Sequence, residues 1–244
     1  MPQAPGTRRQ HRRARLVEAA RLVGLARIVP SFAHQLATPL ASIALRAESL
    51  ENASDQHPGP STDRLRRYLS AIVQETQKCK ELLSTLQQFA RPSGASNDPV
   101  DVNELCRGAA LLVRHEAMRR QVELHLELAA PLPPVWGRRG ALGQGILAIL
   151  LHAVDASPPA GRVSVQTSLD GQVVELTVAD EGERGAARAS GLGLGLRAAR
   201  DIAVEHGGSM GADDGAGRGG RIVFRLPLRG ASPYAGEQSN DTGA

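Results

Sequence analysis

Apolar residues recur every seven positions through the first part of the chain and predict two long amphipathic helices. We place the first helix at residues 14–51 and the second at residues 62–90, with the helix-breaking segment His57–Pro60 between them. The apolar seams consist of Leu22, Leu25, Val29, Phe32, Leu36, Ile43 and Leu50 in the first helix, and of Leu65, Ile72, Cys79 and Leu86 in the second. An antiparallel hairpin of this kind cannot bury both seams alone. The pattern therefore predicts a homodimeric four-helix bundle over residues 14–91.

Two prolines and a histidine interrupt the first helical pattern. Proline has no N–H to donate, so we expect the helix to bend at Pro39 and to bend or break at Pro30. With Val29 at heptad position a, His34 falls at position f, the outermost one. A histidine in an apolar helix is usually a buried core residue, but this one is predicted to face solvent about one turn before a kink.

The hydrophobic period changes after residues 92–99, whose Pro, Ser, Gly and Asn content is typical of a linker. Beyond it, strands and helices come in blocks with hairpins, which predicts an α/β sandwich rather than a βαβ array, spanning residues 100–229. The expected elements are an extended segment leading into a helix over Val100–Arg120, helices at Arg139–Ala156 and Gly193–His206, and strands at Val122–Leu128, Gly161–Ser168, Gln172–Ala179, Ser209–Ala212 and Arg221–Leu226. Residues 230–244 are polar and expected to be disordered.

Charge and cysteine content narrow the function classes. The net charge of the 244 residues is only +4, which does not indicate a nucleic-acid partner. The N-terminus carries a run of arginines, namely Arg8, Arg9, Arg12, Arg13 and Arg15. We expect residues 1–13 to be disordered or frayed. The arginine run is then a solvated helix end or, alternatively, a segment that lies against an anionic membrane surface. No apolar run reaches the roughly 18–20 residues of a membrane span. Cys79 and Cys106 form no C-x-x-C pair, so we expect a cytoplasmic protein.

Acidic and glycine residues suggest nucleotide chemistry in the second half of the chain. Asp180 and Gly182 end a predicted strand, and a strand-end carboxylate can accept a hydrogen bond from an exocyclic amine such as that of adenine. Gly191, Gly193 and Gly195 precede a helix, where backbone N–H groups can approach phosphate. Each signal alone is weak, since both patterns also occur in ordinary turns. The sequence contains neither a P-loop nor a dinucleotide-binding fingerprint at these positions.

The segment His34-Gln35-Leu36-Ala37-Thr38-Pro39-Leu40 resembles the phosphoacceptor box of sensor histidine kinases, whose usual form is His-Glu/Asp-Leu-x-Thr/Asn-Pro-Leu. The resemblance implies that His34 accepts a phosphoryl group from ATP and passes it to an aspartate in the receiver domain of a response regulator. It also implies that Thr38 helps to orient water when the regulator is dephosphorylated. Gln35 departs from the usual acid, because it can accept a hydrogen bond from the imidazole but cannot take its proton.

The second half is similar to the ATP-binding domain that histidine kinases share with gyrase and a class of heat-shock chaperones. Val178–Gly182 and Gly191–Leu196 resemble its two glycine boxes, and Gln144–Ser157 resembles its asparagine box. This implies ATP and Mg²⁺ as cofactors. His152 stands where the family has its Mg²⁺-coordinating Asn, and an imidazole is a poor ligand for Mg²⁺. The upstream Asn of the box is replaced by Ala148. Asp155, one turn after His152, could supply an oxygen ligand for Mg²⁺, or it could be a solvated residue at the helix end.

Three functions fit this sequence. The first is a cytoplasmic histidine kinase that phosphorylates His34 from Mg-ATP and then a regulator, with activity weakened by Gln35 and His152. The second is a histidine phosphotransfer protein or regulator phosphatase that has lost most kinase activity. The third is a non-catalytic dimeric scaffold that binds a response regulator.

Overall fold

The computed structural model describes residues 5–54, 61–90, 96–182, 193–214 and 219–228. Its helices are α1 (Pro5–Ser54), α2 (Thr62–Ala90), α3 (Val102–Arg119), α4 (Arg139–Ala156) and α5 (Leu194–Glu205). Its strands are β1 (Asp98–Val100), β2 (Glu123–Leu128), β3 (Val135–Gly137), β4 (Arg162–Asp170), β5 (Val173–Asp180), β6 (Ser209–Asp214) and β7 (Gly220–Pro227). The helical hairpin followed by an α/β sandwich confirms the predicted fold class. The breaker segment His57–Pro60 and the tail 230–244 lie outside the described residues.

The first helix is longer and more continuous than its sequence predicts. It begins at Pro5, so the expectation of a disordered segment through residue 13 is wrong for residues 5–13. Proline is well tolerated in the first turn, where its missing N–H would have no helical partner. The helix also runs through Pro30 and Pro39 without ending. A break at Pro30, one of the two expected outcomes there, is therefore wrong, because one lost hydrogen bond does not outweigh the packing of the turns on either side. The bends expected at Pro30 and Pro39 stay predictions.

The predicted seam of α1 is only partly covered within the single chain. Phe32 of the seam is buried, whereas Val29 is 52% exposed, and Ile28, which was not predicted in the seam, is 1% exposed. Ile28 is buried because α1 packs against the α/β domain as well as α2, and the heptad pattern does not say which partner covers which face. The hairpin leaves large apolar side chains exposed in the single chain, namely Leu22, Val29, Leu40, Leu45, Leu65, Leu69, Val73 and Leu83.

The α/β domain is a five-stranded sheet covered by a layer of three helices. The strand order is β2-β4-β5-β7-β6, with β2 parallel to β4 and the other pairs antiparallel. In the helical layer α4 contacts both α3 and α5. A two-stranded sheet of β1 and β3 was not predicted, and β1 occupies residues 98–100 at the end of the predicted linker. Residues 91–95 lie outside the described ranges.

A buried histidine joins the end of α5 to the start of α4. Its Nδ1 is 2.7 Å from the carbonyl oxygen of Ile202, and its Nε2 accepts the backbone N–H of Arg138 at 3.0 Å. This residue, His206, lies where Gly137 leaves room, since a Cβ there would come within 2.6 Å of the ring. Burial is the largest cause that lowers the pKa of His206. The neutral ring, whose Nε2 accepts the backbone N–H of Arg138, is therefore the favoured form.

The hairpin docks on the helical layer through both of its helices. Phe89 at the end of α2 is 1% exposed and lies against Gly108 and Gly143. Arg21 of α1 donates to the carbonyl oxygen of Ala90 at 2.6 Å. The first half of α1 contacts α3, α4 and α5, so the hairpin and the sandwich share one continuous core. Within the described ranges, none of the helices has the length and apolar character that would let it traverse a bilayer.

Candidate functional site

The phosphoacceptor candidate is exposed on α1, as predicted. His34 follows the buried Phe32 and precedes the buried Pro39, so the residues that anchor α1 flank an accessible imidazole. The hydroxyl of Thr38 is exposed and donates to the carbonyl oxygen of His34 at 3.4 Å. The side chain of Gln35 is half-buried on the same turn. The imidazole therefore has helical support on both sides and is open to a partner.

The ring of His34 lies against a second histidine that sequence reasoning missed. His115 of α3 has its ring centroid 4.9 Å away, with the planes tilted by 58°. The two residues lie far apart in the sequence and share no motif, so no local pattern could have predicted the contact. The phosphoacceptor candidate thus touches the α/β domain of its own chain, but on α3 rather than at the glycine-rich segments.

A cleft between α4, α5 and α1 contains most of the predicted nucleotide residues. The cleft is lined by Ala148, Leu151, His152 and Asp155 of α4, by residues Gly193 to Leu196 at the start of α5, and by Ala20, Val23, Gly24 and Arg27 of α1. The α4 residues recur every three or four positions and so share one helical face. Gly193 and Gly195 start α5 close to α4, since a Cβ on Gly195 would contact that of Ala148 at 3.4 Å. Gly191 lies outside the described residues.

Asp180 is fixed at the end of β5 but is not one of the residues lining the cleft in the described part of the chain. It is 8% exposed, and its Oδ1 accepts the backbone N–H groups of Gly182 and Gly220 at 2.9 and 3.2 Å. A Cβ at Gly182 would collide with the carbonyl oxygen of Ala156, the last residue of α4. Glycine is therefore required where the end of β5 meets the end of α4.

The carboxylate of Asp155 is held by two arginines. Arg27 of α1 donates from Nη1 and Nη2 to Oδ2 and Oδ1 at 2.6 and 2.8 Å, and Arg120 approaches Oδ1 at 2.8 Å. The hydrogen bond to Asp155 raises the pKa of Arg27. Neighbouring Glu116 is held in the same way: hydrogen bonding to Arg119 is the largest cause that lowers its pKa to about 2. Neither arginine partner of Asp155 was anticipated from the sequence.

The protein groups in the cleft do not make a complete Mg²⁺ site. Mg²⁺ prefers oxygen ligands in near-octahedral geometry, whereas His152 offers nitrogen and Ala148 offers nothing. Asp155 has oxygens, but both are bonded to guanidinium groups. Among the described residues there is no group of three or more His, Cys, Asp or Glu side chains placed to hold a metal ion. An anion fits better at the start of α5, because the first N–H groups of a helix have no partner within the helix and the helix dipole favours negative charge there.

Comparison with known families accounts for both halves of the molecule. Residues 25–94 match the sequence model of the His Kinase A (phospho-acceptor) domain. Residues 137–230 match that of the histidine kinase-, DNA gyrase B- and HSP90-like ATPases. The two matches fall in this order along the chain and together cover most of it. The chain belongs to the sensor histidine kinase family.

Individual members of the family show the same relationship. The sensor histidine kinase ZraS of Escherichia coli (strain K12) is 26% identical over 221 residues, which are 85% of this chain and 46% of that protein. MprB of Mycolicibacterium smegmatis, a kinase/phosphatase, is 28% identical over 210 residues, 78% of this chain and 42% of that protein. Full-length ShkA in complex with AMPPNP superposes with a TM-score of 0.50 at 25% identity, covering 80% of this chain and 47% of ShkA. The chain thus spans about half the length of the curated relatives it matches.

Proposed function

We propose that this chain is the catalytic part of a two-component histidine kinase, which phosphorylates His34 from ATP and then an aspartate in a response-regulator receiver domain. The observation that carries the proposal is the exposed His34, placed between buried anchors inside the phospho-acceptor match. The cleft of His152, Asp155, Gly193 and Gly195 inside the ATPase match supports the nucleotide half of the reaction.

The chemistry at His34 is phosphoryl transfer between a ring nitrogen and ATP. The unprotonated nitrogen of a neutral imidazole attacks the γ-phosphorus in line, the bond to the β-phosphate oxygen breaks, and ADP leaves. The ring becomes a positively charged phosphoimidazole, and its remaining N–H proton is released to water. The amide oxygen of Gln35 can accept a hydrogen bond from that N–H but cannot remove the proton. Most of the catalytic effect must therefore come from positioning.

The nucleotide is bound by the α/β domain. The adenine amine donates to Asp180, whose carboxylate the N–H groups of Gly182 and Gly220 hold in place. The phosphates lie at the start of α5, along Gly193 and Gly195 and, by the family pattern, Gly191. Mg²⁺ would neutralise phosphate charge, although the described cleft residues do not complete a site for it. Asp155 would supply an oxygen only after its carboxylate leaves Arg27 and Arg120.

A second function is favoured by the poor Mg²⁺ donor set. With His152 and Ala148 in place of oxygen donors, transfer from ATP is slow, and His34 instead exchanges phosphate with an already phosphorylated regulator. Thr38, exposed one turn after His34, would orient water for regulator dephosphorylation. This protein would then act as a phosphotransfer protein or phosphatase. The test is whether His34 takes phosphate from a labelled regulator, or the regulator loses it, without ATP.

Assembly and location follow from the same proposal. The exposed apolar side chains of the hairpin need a partner, and a second copy of the hairpin covers them in a four-helix bundle. Residues 14–91, 92–99 and 100–229 are then bundle, linker and catalytic domain. Because ATP and receiver domains are cytoplasmic, we infer that the hairpin and the α/β domain of this chain act in the cytoplasm. The arginine run near the N-terminus would allow contact with an anionic membrane surface.

The direct test is incubation of the full chain with γ-labelled ATP and Mg²⁺. We expect slow incorporation of a label that survives base and is lost in acid, as a phosphoramidate is. His34→Gln should abolish the label while ATP binding persists. His125→Gln, at an exposed histidine of β2, is the matched control and should leave labelling unchanged. Equal labelling of the His34→Gln variant would place the acceptor elsewhere.

A further inference from the structure

One side of the nucleotide cleft is made by α1 rather than by the α/β domain. Ala20, Val23 and Gly24 of α1 face the cleft, opposite His152 of α4 and Leu194 of α5. All three α1 residues are small or short, so the helix comes close to the two helices whose residues are proposed to bind phosphate. A nucleotide in the cleft must therefore share its space with α1 or displace it.

Arg27 ties α1 to the end of α4. Its bidentate pair with Asp155, at 2.6 and 2.8 Å, is directional as well as charged. Nη2 of Arg27 also lies 4.0 Å from Oε1 of Glu116 on α3. Arg120 completes the network by binding both Asp155 and Glu116. The network fixes the position of α1 against two helices of the α/β domain. It does so at Asp155, which is the only carboxylate among the described residues that line the cleft.

The docked arrangement also contains an unfavourable feature. The amide of Gln144 on α4 is 8% exposed, and within the described ranges neither its Nε2 nor its Oε1 has a hydrogen-bond partner. It lines a small cavity whose α1 side is formed by Val17, Ala20 and Leu25. A buried amide without partners destabilises the state that buries it. Movement of α1 away from α4 would return Gln144 to water, so burial of this amide opposes docking.

Docking of α1 also sets the place of the phosphoacceptor. His34 lies seven residues beyond Arg27, which is about 10 Å along the helix axis. Its ring packs against His115 of α3 at 4.9 Å between centroids. While Arg27 holds Asp155, the acceptor is therefore kept against α3 and away from the cleft of its own chain.

We propose that this contact is an autoinhibitory latch: the Arg27–Asp155 pair holds α1 over the nucleotide cleft, and nucleotide binding and helix docking oppose each other. The latch rests on the proposed function, since it assigns the cleft to ATP. By linkage, weakening the latch raises nucleotide affinity, and nucleotide favours release of α1. The apparent Kd is the intrinsic one divided by the fraction of open molecules.

The first measurement is calorimetric titration of the full chain with Mg-ATP. We expect Arg27→Ala to lower the Kd by roughly three- to tenfold, the range for a partly exposed bidentate pair. Arg27→Glu should lower it further, because a third carboxylate would face Asp155 and Glu116. Arg27→Lys keeps the charge without the bidentate geometry and should lie between Arg27→Ala and the wild type. Arg225→Ala is the matched control, since Arg225 pairs with Glu175 on the sheet, away from α1.

The second measurement follows α1 without relying on nucleotide affinity. Amide hydrogen exchange of residues 17–28 should speed up in Arg27→Glu and slow down in Gln144→Met, which removes the unpaired amide and favours docking. Addition of ATP to the wild type should speed exchange in the same segment. Residues 40–50 of α1, beyond the docked part, serve as the internal reference and should change little.

The outcomes separate the latch from the proposed function. If ATP binds the wild type and the Arg27 variants with the same Kd, or if ATP slows exchange in residues 17–28, the latch is wrong. If no variant binds ATP, the proposed kinase function is wrong and the phosphotransfer or phosphatase function takes its place. Hydrogen exchange then still tests the docking of α1. Arg27→Glu must speed exchange in residues 17–28, and an unchanged rate would show that Arg27 does not hold α1 in place.

Discussion

The phosphoacceptor box and the nucleotide cleft differ in how completely each carries the groups that its chemistry needs. Around His34 only Gln35 departs from the family pattern, and the imidazole is exposed between two buried anchors. In the cleft, His152 stands where the resemblance places the family's Mg²⁺-coordinating Asn, and the carboxylate of Asp155 is paired with two arginines. Accepting phosphate requires little more than an accessible, supported imidazole. Activating ATP requires several precisely placed groups, so we expect the cleft to limit the reaction.

The largest effect is predicted on the acceptor side, in the bundle that presents His34. Ile72→Asp should dissociate or unfold the hairpin, because it loses the roughly 1.5–3 kcal/mol gained by burying an aliphatic side chain. It also places an unpaired carboxylate in the seam. Gln74→Asp, which puts the same charge on an exposed position of α2, is the control. Sedimentation at micromolar concentration should show a dimer for the wild type and the control only. A monomeric wild type would contradict the four-helix bundle.

The next largest effect is predicted on ATP binding, through Asp180. Asp180→Asn replaces an ionised acceptor in a buried position, and hydrogen bonds to charged groups contribute about 1.5–3 kcal/mol. ATP affinity should therefore fall by roughly 10- to 100-fold. Asp170→Asn, at the exposed end of β4, should leave the affinity unchanged. Equal affinities for both variants, measured by titration, would remove Asp180 from the adenine site.

The smallest effect concerns the support of the cleft rather than its chemistry. Burial lowers the pKa of His206, so the unfolded chain binds the proton more tightly than the folded one. The stabilisation is complete above the unfolded pKa of about 6.5 and is lost as pH falls through the lowered folded pKa. The thermal midpoint should drop by about 2–4 °C per kcal/mol lost. His206→Gln should flatten this decline between pH 7.5 and 5, and His125→Gln should not. Parallel curves for wild type and His206→Gln would exclude His206 as the cause.

Sequence patterns predict elements whose hydrophobic residues repeat along the chain and motifs whose residues are close together in the chain. Heptads specify both hairpin helices, and the expected strands correspond to the five strands of the main sheet. The three-residue strands β1 and β3 are too short to show a period. The ion pair of Arg27 with Asp155 and the contact of His34 with His115 join residues far apart in the chain. Such contacts depend on how α1 meets the α/β domain, which no local pattern encodes. This is also why Ile28, rather than Val29, faces the core.

The central claim is that His34 accepts phosphate from ATP and that the cleft, more than the acceptor box, slows the transfer. The direct measurement is the initial rate of His34 phosphorylation at saturating Mg-ATP for the wild type, His152→Asn, Gln35→Glu and the double variant. His152→Asn supplies the missing oxygen ligand and should raise the rate most among the single variants.

Gln35→Glu adds general-base assistance, which typically contributes roughly 10²–10⁴-fold. It should gain less than that, because the amide oxygen of the glutamine can already accept a hydrogen bond from the ring N–H. The double variant should be fastest. If all four proteins bind ATP and none is phosphorylated, the kinase function is wrong. If the wild type is already fast and His152→Asn slows it, the cleft does not limit the reaction.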